Sequence, residues 1–130
     1  MTDWNRIDDT GGVLLHNPRC SKSRTTLELL RQHAIDPQII DYQETPPDAA
    51  ALAMIIERLG IHARDLLRSG EDEYKALGLD DHSLSPDHLI RTMVEHPRLI
   101  ERPIFLYEGH ARIGRPPEAV LEIIGGVGLG

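Results

Sequence analysis

The sequence predicts an α/β domain built on a mixed four-stranded sheet and interrupted by an all-helical insertion at about residues 46–100. Three observations carry this prediction. Two short apolar runs, Val13-Leu14-Leu15 and Ile39-Ile40, flank a stretch of helical period within about 30 residues, the length of a βαβ unit. A second pair of apolar runs straddles Glu108-Gly109, the signature of a β-hairpin. Between the two pairs the apolar spacing stays helical.

The elements follow in order. Residues 1–12 are polar and aperiodic, end in Gly11-Gly12 and read as a flexible tail that holds the single tryptophan, Trp4. Val13 to Leu15 reads as a buried strand. After the loop His16 to Cys20 comes a helix with Leu27, Leu30 and Ala34 on its apolar face, then a strand from Gln38 to Tyr42. These two strands should run parallel, joined right-handedly. Thr45-Pro46-Pro47-Asp48 breaks the chain and starts a helix with Leu52, Ile55, Ile56 and Leu59 on one face and Gly60 as its stop. Short segments follow at His62 to Leu67 and Asp72 to Ala76. Ser85-Pro86-Asp87 then caps a helix carrying Leu89, Ile90 and Met93, which Pro97 ends. Pro103 to Tyr107 and His110 to Ile113 form the hairpin, and Pro116-Pro117-Glu118 opens a final helix through Ile124, closed by Gly125-Gly126. The order β-α-β, insert, β-β-α is the thioredoxin-like arrangement, with residues 13–130 as a single domain.

Composition narrows the function. A 130-residue chain that is 40% apolar suits one packed domain. No apolar run approaches the roughly 20 residues needed to cross a bilayer, and no signal-peptide core precedes the first strand, so a cytoplasmic protein without membrane attachment is expected. The net charge of −7 argues against a nucleic-acid surface. Residues 13–33 run against that trend, with Arg19, Lys22, Arg24 and Arg31 against Glu28 alone. The only cysteine, Cys20, lies in this basic segment, so an internal disulfide or a cysteine-based metal cluster is excluded. The seven histidines show no metal-ligand spacing, and no metal is expected.

Cys20 stands between a strand and a helix, where unpaired amide groups and the helix dipole favour an anion and so a reactive thiolate. Ser21 and Ser23 can add hydroxyl donors to the sulfur or to a bound oxyanion. A buried structural cysteine is the alternative, but His, Asn, Pro, Arg, Ser and Lys around it do not make a core strand. The phosphatase loop, which needs arginine six positions after the cysteine, meets Thr26 instead. A Cys-x-x-Cys pair meets Ser23, so any oxidised state of Cys20 must be reversed by a thiol from another molecule.

The run His16-Asn17-Pro18-Arg19-Cys20-Ser21-Lys22-Ser23-Arg24-Thr25 resembles the signature of the glutathione- and glutaredoxin-dependent ArsC arsenate reductases. The resemblance continues through Tyr42-Gln43-Glu44-Thr45-Pro46-Pro47, Asp65-Leu66-Leu67-Arg68, His96-Pro97, Glu101-Arg102-Pro103-Ile104 and Gly114-Arg115-Pro116-Pro117-Glu118. The Cys20 to Ser23 stretch and Gly114 before Arg115 fit a housekeeping-like branch of that family. The resemblance implies that Cys20 is catalytic and that Arg68, Arg102 and Arg115 bind the oxyanion. It places His16 beside the cysteine, puts the Ser23 hydroxyl near the sulfur and makes Arg102-Pro103 the candidate cis-proline bond. Reduction of arsenate to arsenite follows, with glutathione as co-substrate, glutaredoxin as partner and no tightly bound cofactor. By position alone, the three arginines fall at element ends, and their guanidinium forks suit a tetrahedral anion, though surface arginines paired with acids would look the same. His16 has two readings, an imidazolium that lowers the cysteine pKa or a residue that ends the strand and caps the loop. Two further functions compete: a glutathione-linked thiol oxidoreductase acting on protein mixed disulfides, and a Spx-like regulator binding RNA polymerase, whose cysteine pair is here Cys20 and Ser23.

Overall fold

Strand β1, Val13–His16, is buried along its whole length, as a central strand covered on both faces must be. A computed structural model describes Trp4 and residues 7–124 of the chain. Helix α1, Ser21–Gln32, follows the loop after β1. Strand β2, Gln38–Asp41, pairs with β1 in parallel, with Leu15 opposite Ile40. Strand β3, Ile104–Tyr107, lies antiparallel on the other side of β1, with Leu15 opposite Ile104. Strand β4, His110–Ile113, completes the hairpin. The sheet order is β2-β1-β3-β4, a mixed α/β sheet of the kind expected. The hairpin turn has positive φ at both Glu108 and Gly109, the primed-turn geometry whose twist suits two-residue hairpins and which glycine enters without steric cost.

The chain divides into two compact units, one formed by residues up to Thr45 together with those from Arg102 onward, the other by residues 46–101. In the first, Leu14 and Phe105 of the sheet pack with Leu30 of α1 and with Val120, Ile123 and Ile124 of the closing segment. Burying each such side chain is worth about 2–3 kcal/mol.

The second unit is helical, as the insertion was expected to be. Helix α2, Ala49–Leu59, buries Ala51, Leu52, Ile55 and Ile56; Asp48 caps it by accepting a hydrogen bond from Ala51 N at 2.8 Å, and Gly60 ends it in the left-handed conformation. A 3-10 helix at Ala63–Leu66 precedes the short helix α3, Asp72–Ala76. Helix α4, Pro86–Glu95, buries Leu89, Ile90 and Met93, and Ser85 caps it through His88 N. Leu67 and Ile100 form an isolated antiparallel bridge at the base of this unit.

Three sequence expectations need correction. Leu30 and Leu27 of α1 do face the core, but Ser23 and Thr26 are buried beside them, so the inward face is partly polar, and Ala34 does not belong to it. Ala34 lies beyond the helix with φ 62°. Its N–H reaches Arg31 O and the N–H of Ile35 reaches Leu30 O, a Schellman ending in which an alanine takes the left-handed place usually held by glycine. The segment after Pro116 is a 3-10 helix, Pro117–Ile123, where an ordinary helix was expected. Strand β2 is an edge strand whose Ile39 is 42% exposed, and strand pairing stops at Asp41, one residue short of Tyr42. The closing Gly125-Gly126 and most of residues 1–6 lie outside the described residues. Within the stretch read as a flexible tail, Asp9 O accepts from Glu108 N and Asp9 Oδ2 accepts from Gly109 N at 2.8 Å. Among the described residues no helix is long and apolar enough to cross a membrane.

Candidate active site

The loop between β1 and α1 is built by short-range hydrogen bonds. Asn17 Oδ1 accepts from Arg19 N at 3.0 Å, an Asx-type turn. The N–H of Cys20 donates to Asn17 O at 3.0 Å. Cys20 is then the N-cap of α1, in extended conformation, and its carbonyl accepts the first helical bond from Arg24 N. The thiol is partly buried and not part of the core.

The sulfur meets four donors. The amides of Ser23 and Lys22 and the Arg102 guanidinium stabilise its anion, and Arg115 Nη2 lies 3.5 Å from Sγ. Partial burial is the largest single influence and raises the thiol pKa. The Ser23 amide, Arg102 and the Lys22 amide together outweigh it, so the net shift is downward, toward thiolate.

Arg102 and Arg115 are held as a pair, since Arg115 Nε donates to Arg102 O at 2.7 Å. Each precedes a cis proline, Arg102-Pro103 and Arg115-Pro116; the first was expected, the second was not. Arg102 Nε and Nη1 are buried. The segments carrying the two arginines are joined by Gly114 N donating to Pro103 O at 2.9 Å. A Cβ at Gly114 would stand 2.6 Å from Thr26 Oγ1 and 2.8 Å from Pro103 Cγ, so only glycine lets the chain approach α1 this closely.

His16 ends β1 and is buried, and its Nδ1 lies 2.6 Å from Ser23 Oγ. Ser23 Oγ also accepts from Asn17 N at 3.1 Å. The Ser23 hydroxyl thus bridges the His16 ring and the Asn17 amide. Burial lowers the His16 pKa; Asp41 opposes this, and Arg24 and Arg31 reinforce it. This direction disfavours the imidazolium and fits the strand-ending, loop-capping reading of His16. The Ser23 hydroxyl is engaged with His16 and Asn17, and its amide acts on the sulfur.

Arg68 belongs to the helical unit. Its amide donates to Leu99 O at 2.8 Å, and its Nε lies 3.7 Å from Glu101 Oε1. Nη1 is buried and has no hydrogen-bond partner among the described residues. Of the predicted residues, then, Cys20, Arg102 and Arg115 come together, and His16 and Ser23 form a pair beside the same loop. The residue whose role went unread is Asn17, although asparagine before proline in a strand–helix loop is a recognisable turn signal. A groove of about 650 Å³ runs along α1 beside this loop, bordered by His16, Pro18, Arg24, Leu27, Glu28 and Arg31. Among the described residues no group of His, Cys, Asp and Glu side chains is placed to hold a metal ion.

Comparison with known proteins adds independent information. The ArsC family model matches residues 15–123. An uncharacterized Escherichia coli (strain K12) protein, YfgD, is 55% identical over 86% of this chain and 95% of its own length. A Neisseria meningitidis protein named arsenate reductase is 45% identical over 85% of this chain and 96% of its own. A solved structure of arsenate reductase from Vibrio cholerae superposes with TM-score 0.86 at 49% identity, covering 90% of this chain and all of that one.

Proposed function

The chain belongs to the ArsC family, and from that premise we propose that it reduces arsenate to arsenite with Cys20 as nucleophile. The observation that carries this reading is a single sulfur at the N-terminus of α1, drawn toward thiolate, with Arg115 Nη2 at 3.5 Å and Arg102 acting on the same atom. Relatives named arsenate reductase at 41–45% identity support it.

The Cys20 thiolate attacks arsenic, a sulfur–arsenic bond forms, and one arsenic–oxygen bond breaks with loss of water. Arg102 and Arg115 hold the remaining oxygens and stabilise their charge as it redistributes. Arg68 is the third guanidinium that the family resemblance assigns to the oxyanion. Taking arsenic from the +5 to the +3 state requires two electrons, supplied when two thiols become one disulfide. The chain has one cysteine, so the second thiol comes from outside. We assign it to glutathione, with glutaredoxin regenerating the enzyme.

The test is arsenate turnover coupled to glutathione, glutaredoxin and NADPH. The native chain is expected to turn over and Cys20→Ser to show none. Arg115→Ala should raise KM for arsenate while Cys20 remains open to alkylation. Absence of arsenate turnover, together with reduction of a glutathionylated protein in the same mixture, would replace this reading with the thiol oxidoreductase one.

A further inference from the structure

We propose that Asn17 is a positioning residue for the reactive sulfur, setting both Cys20 and the backbone donor that faces it. This rests on the reading of Cys20 as nucleophile. Asn17 is 8% exposed, and its carbonyl, its Oδ1 and its N–H all bond within the β1–α1 loop and the first turn of α1. Its carbonyl accepts the Cys20 N–H at 3.0 Å. Its Oδ1 accepts the Arg19 N–H at 3.0 Å. Its own N–H donates to Ser23 Oγ at 3.1 Å.

Two consequences follow from this geometry. The residue that bears the sulfur is tied to Asn17 by its amide. Ser23, whose amide stabilises the thiolate, is tied to Asn17 by its side chain. Nucleophile and donor thus take their positions from one point. Pro18 lacks an N–H, so the Arg19 amide is the first available to close the turn, and Asn17 Oδ1 is its acceptor. Removing that acceptor leaves a part-buried amide unsatisfied, which favours opening of the turn. The backbone bond from Cys20 then loses its support, and the sulfur moves relative to the Ser23 and Lys22 amides. Truncating Asn17 therefore acts on the thiol through the loop, without removing any group that touches the sulfur.

The experiment is the pH dependence of Cys20 alkylation by iodoacetamide in the full chain, with the urea midpoint measured on the same samples. For Asn17→Ala the alkylation midpoint should rise by about half to one pH unit. That corresponds to about three- to tenfold slower alkylation on the acid side, because the thiolate fraction there falls about tenfold per unit. The plateau rate at high pH should stay within about twofold. Asn17→Ser, whose hydroxyl can accept from the Arg19 amide more weakly, should fall between the two. An unchanged alkylation midpoint with a lowered urea midpoint would show a purely structural role and overturn the proposal. If Asn17→Ala does not fold, Asn17→Ser decides by the same criterion. A native profile with the midpoint of a free thiol would overturn the nucleophile reading, and this proposal with it, whereas loss of arsenate turnover alone would leave this one standing.

Discussion

His16 is enclosed at the end of β1 with Nδ1 against Ser23 Oγ, and its neutral form has a consequence for stability. Its folded pKa lies below the ordinary histidine value, with burial as the main cause. The unfolded chain, titrating near about 6.5, therefore binds more protons than the folded one just below that pH. Stability is whole above the unfolded pKa, declines as pH falls below it, and this contribution is gone once pH passes the folded value. Urea midpoints should consequently drop as pH falls below about 6.5. His16→Gln, which keeps a partner for the Ser23 hydroxyl and has no charge to gain, should show a smaller drop. An equal drop in both chains would assign the effect to other groups. Cys20 was legible at this scale because a polar, basic segment on an acidic chain marks it. The contact between His16 Nδ1 and the Ser23 hydroxyl was not, since it depends on which neighbour reaches each of them in the fold.

At the scale of elements, two small residues set opposite expectations. Ala34 occupies the left-handed position of the α1 ending, with φ 62°, a conformation that costs an alanine roughly 1 kcal/mol more than a glycine. Ala34→Gly should therefore stabilise the chain by up to about 1 kcal/mol in chemical denaturation. Gly114→Ala should do the reverse, because its Cβ would overlap Thr26 Oγ1 and Pro103 Cγ; overpacking of this kind costs about 1–3 kcal/mol. Since Gly114 joins the segments of Arg102 and Arg115, that variant should also weaken arsenate binding, read as a raised KM.

The same two places explain what could and could not be foreseen. Alanine is the strongest helix former, so Ala34 carries no stop signal, and the stop comes from Ile35 packing back against the Leu30 core. Capped ends announced themselves, as Asp48, Gly60 and Ser85 show. The closing 3-10 segment did not, because its apolar residues fit helical spacing as well. Asn17 was visible as a turn former, but that its carbonyl and N–H link Cys20 to Ser23 depends on atoms six residues apart.

For the molecule as a whole, the electron count is decisive. When it ends in a disulfide, the one thiol per chain supplies one electron toward a two-electron reduction. Incubated with arsenate and no external thiol, the protein should release at most about half a mole of arsenite per mole of chain, and only if two chains pool their sulfurs. Adding glutathione and glutaredoxin should remove that ceiling. Arsenite beyond it in their absence, measured on fully reduced protein, would mean that Cys20 is oxidised past the disulfide level, to sulfenic acid or further, or that another group supplies electrons.

Asp9 grips the Glu108-Gly109 turn through its carbonyl and carboxylate. By strand register that turn lies near Val13, at the far end of the sheet from His16 and the Cys20 loop. A label, tether or solid support joined ahead of Asp9 would therefore start from the pole opposite the chemistry. Immobilised that way, the sheet would be held by the end away from the Cys20 loop.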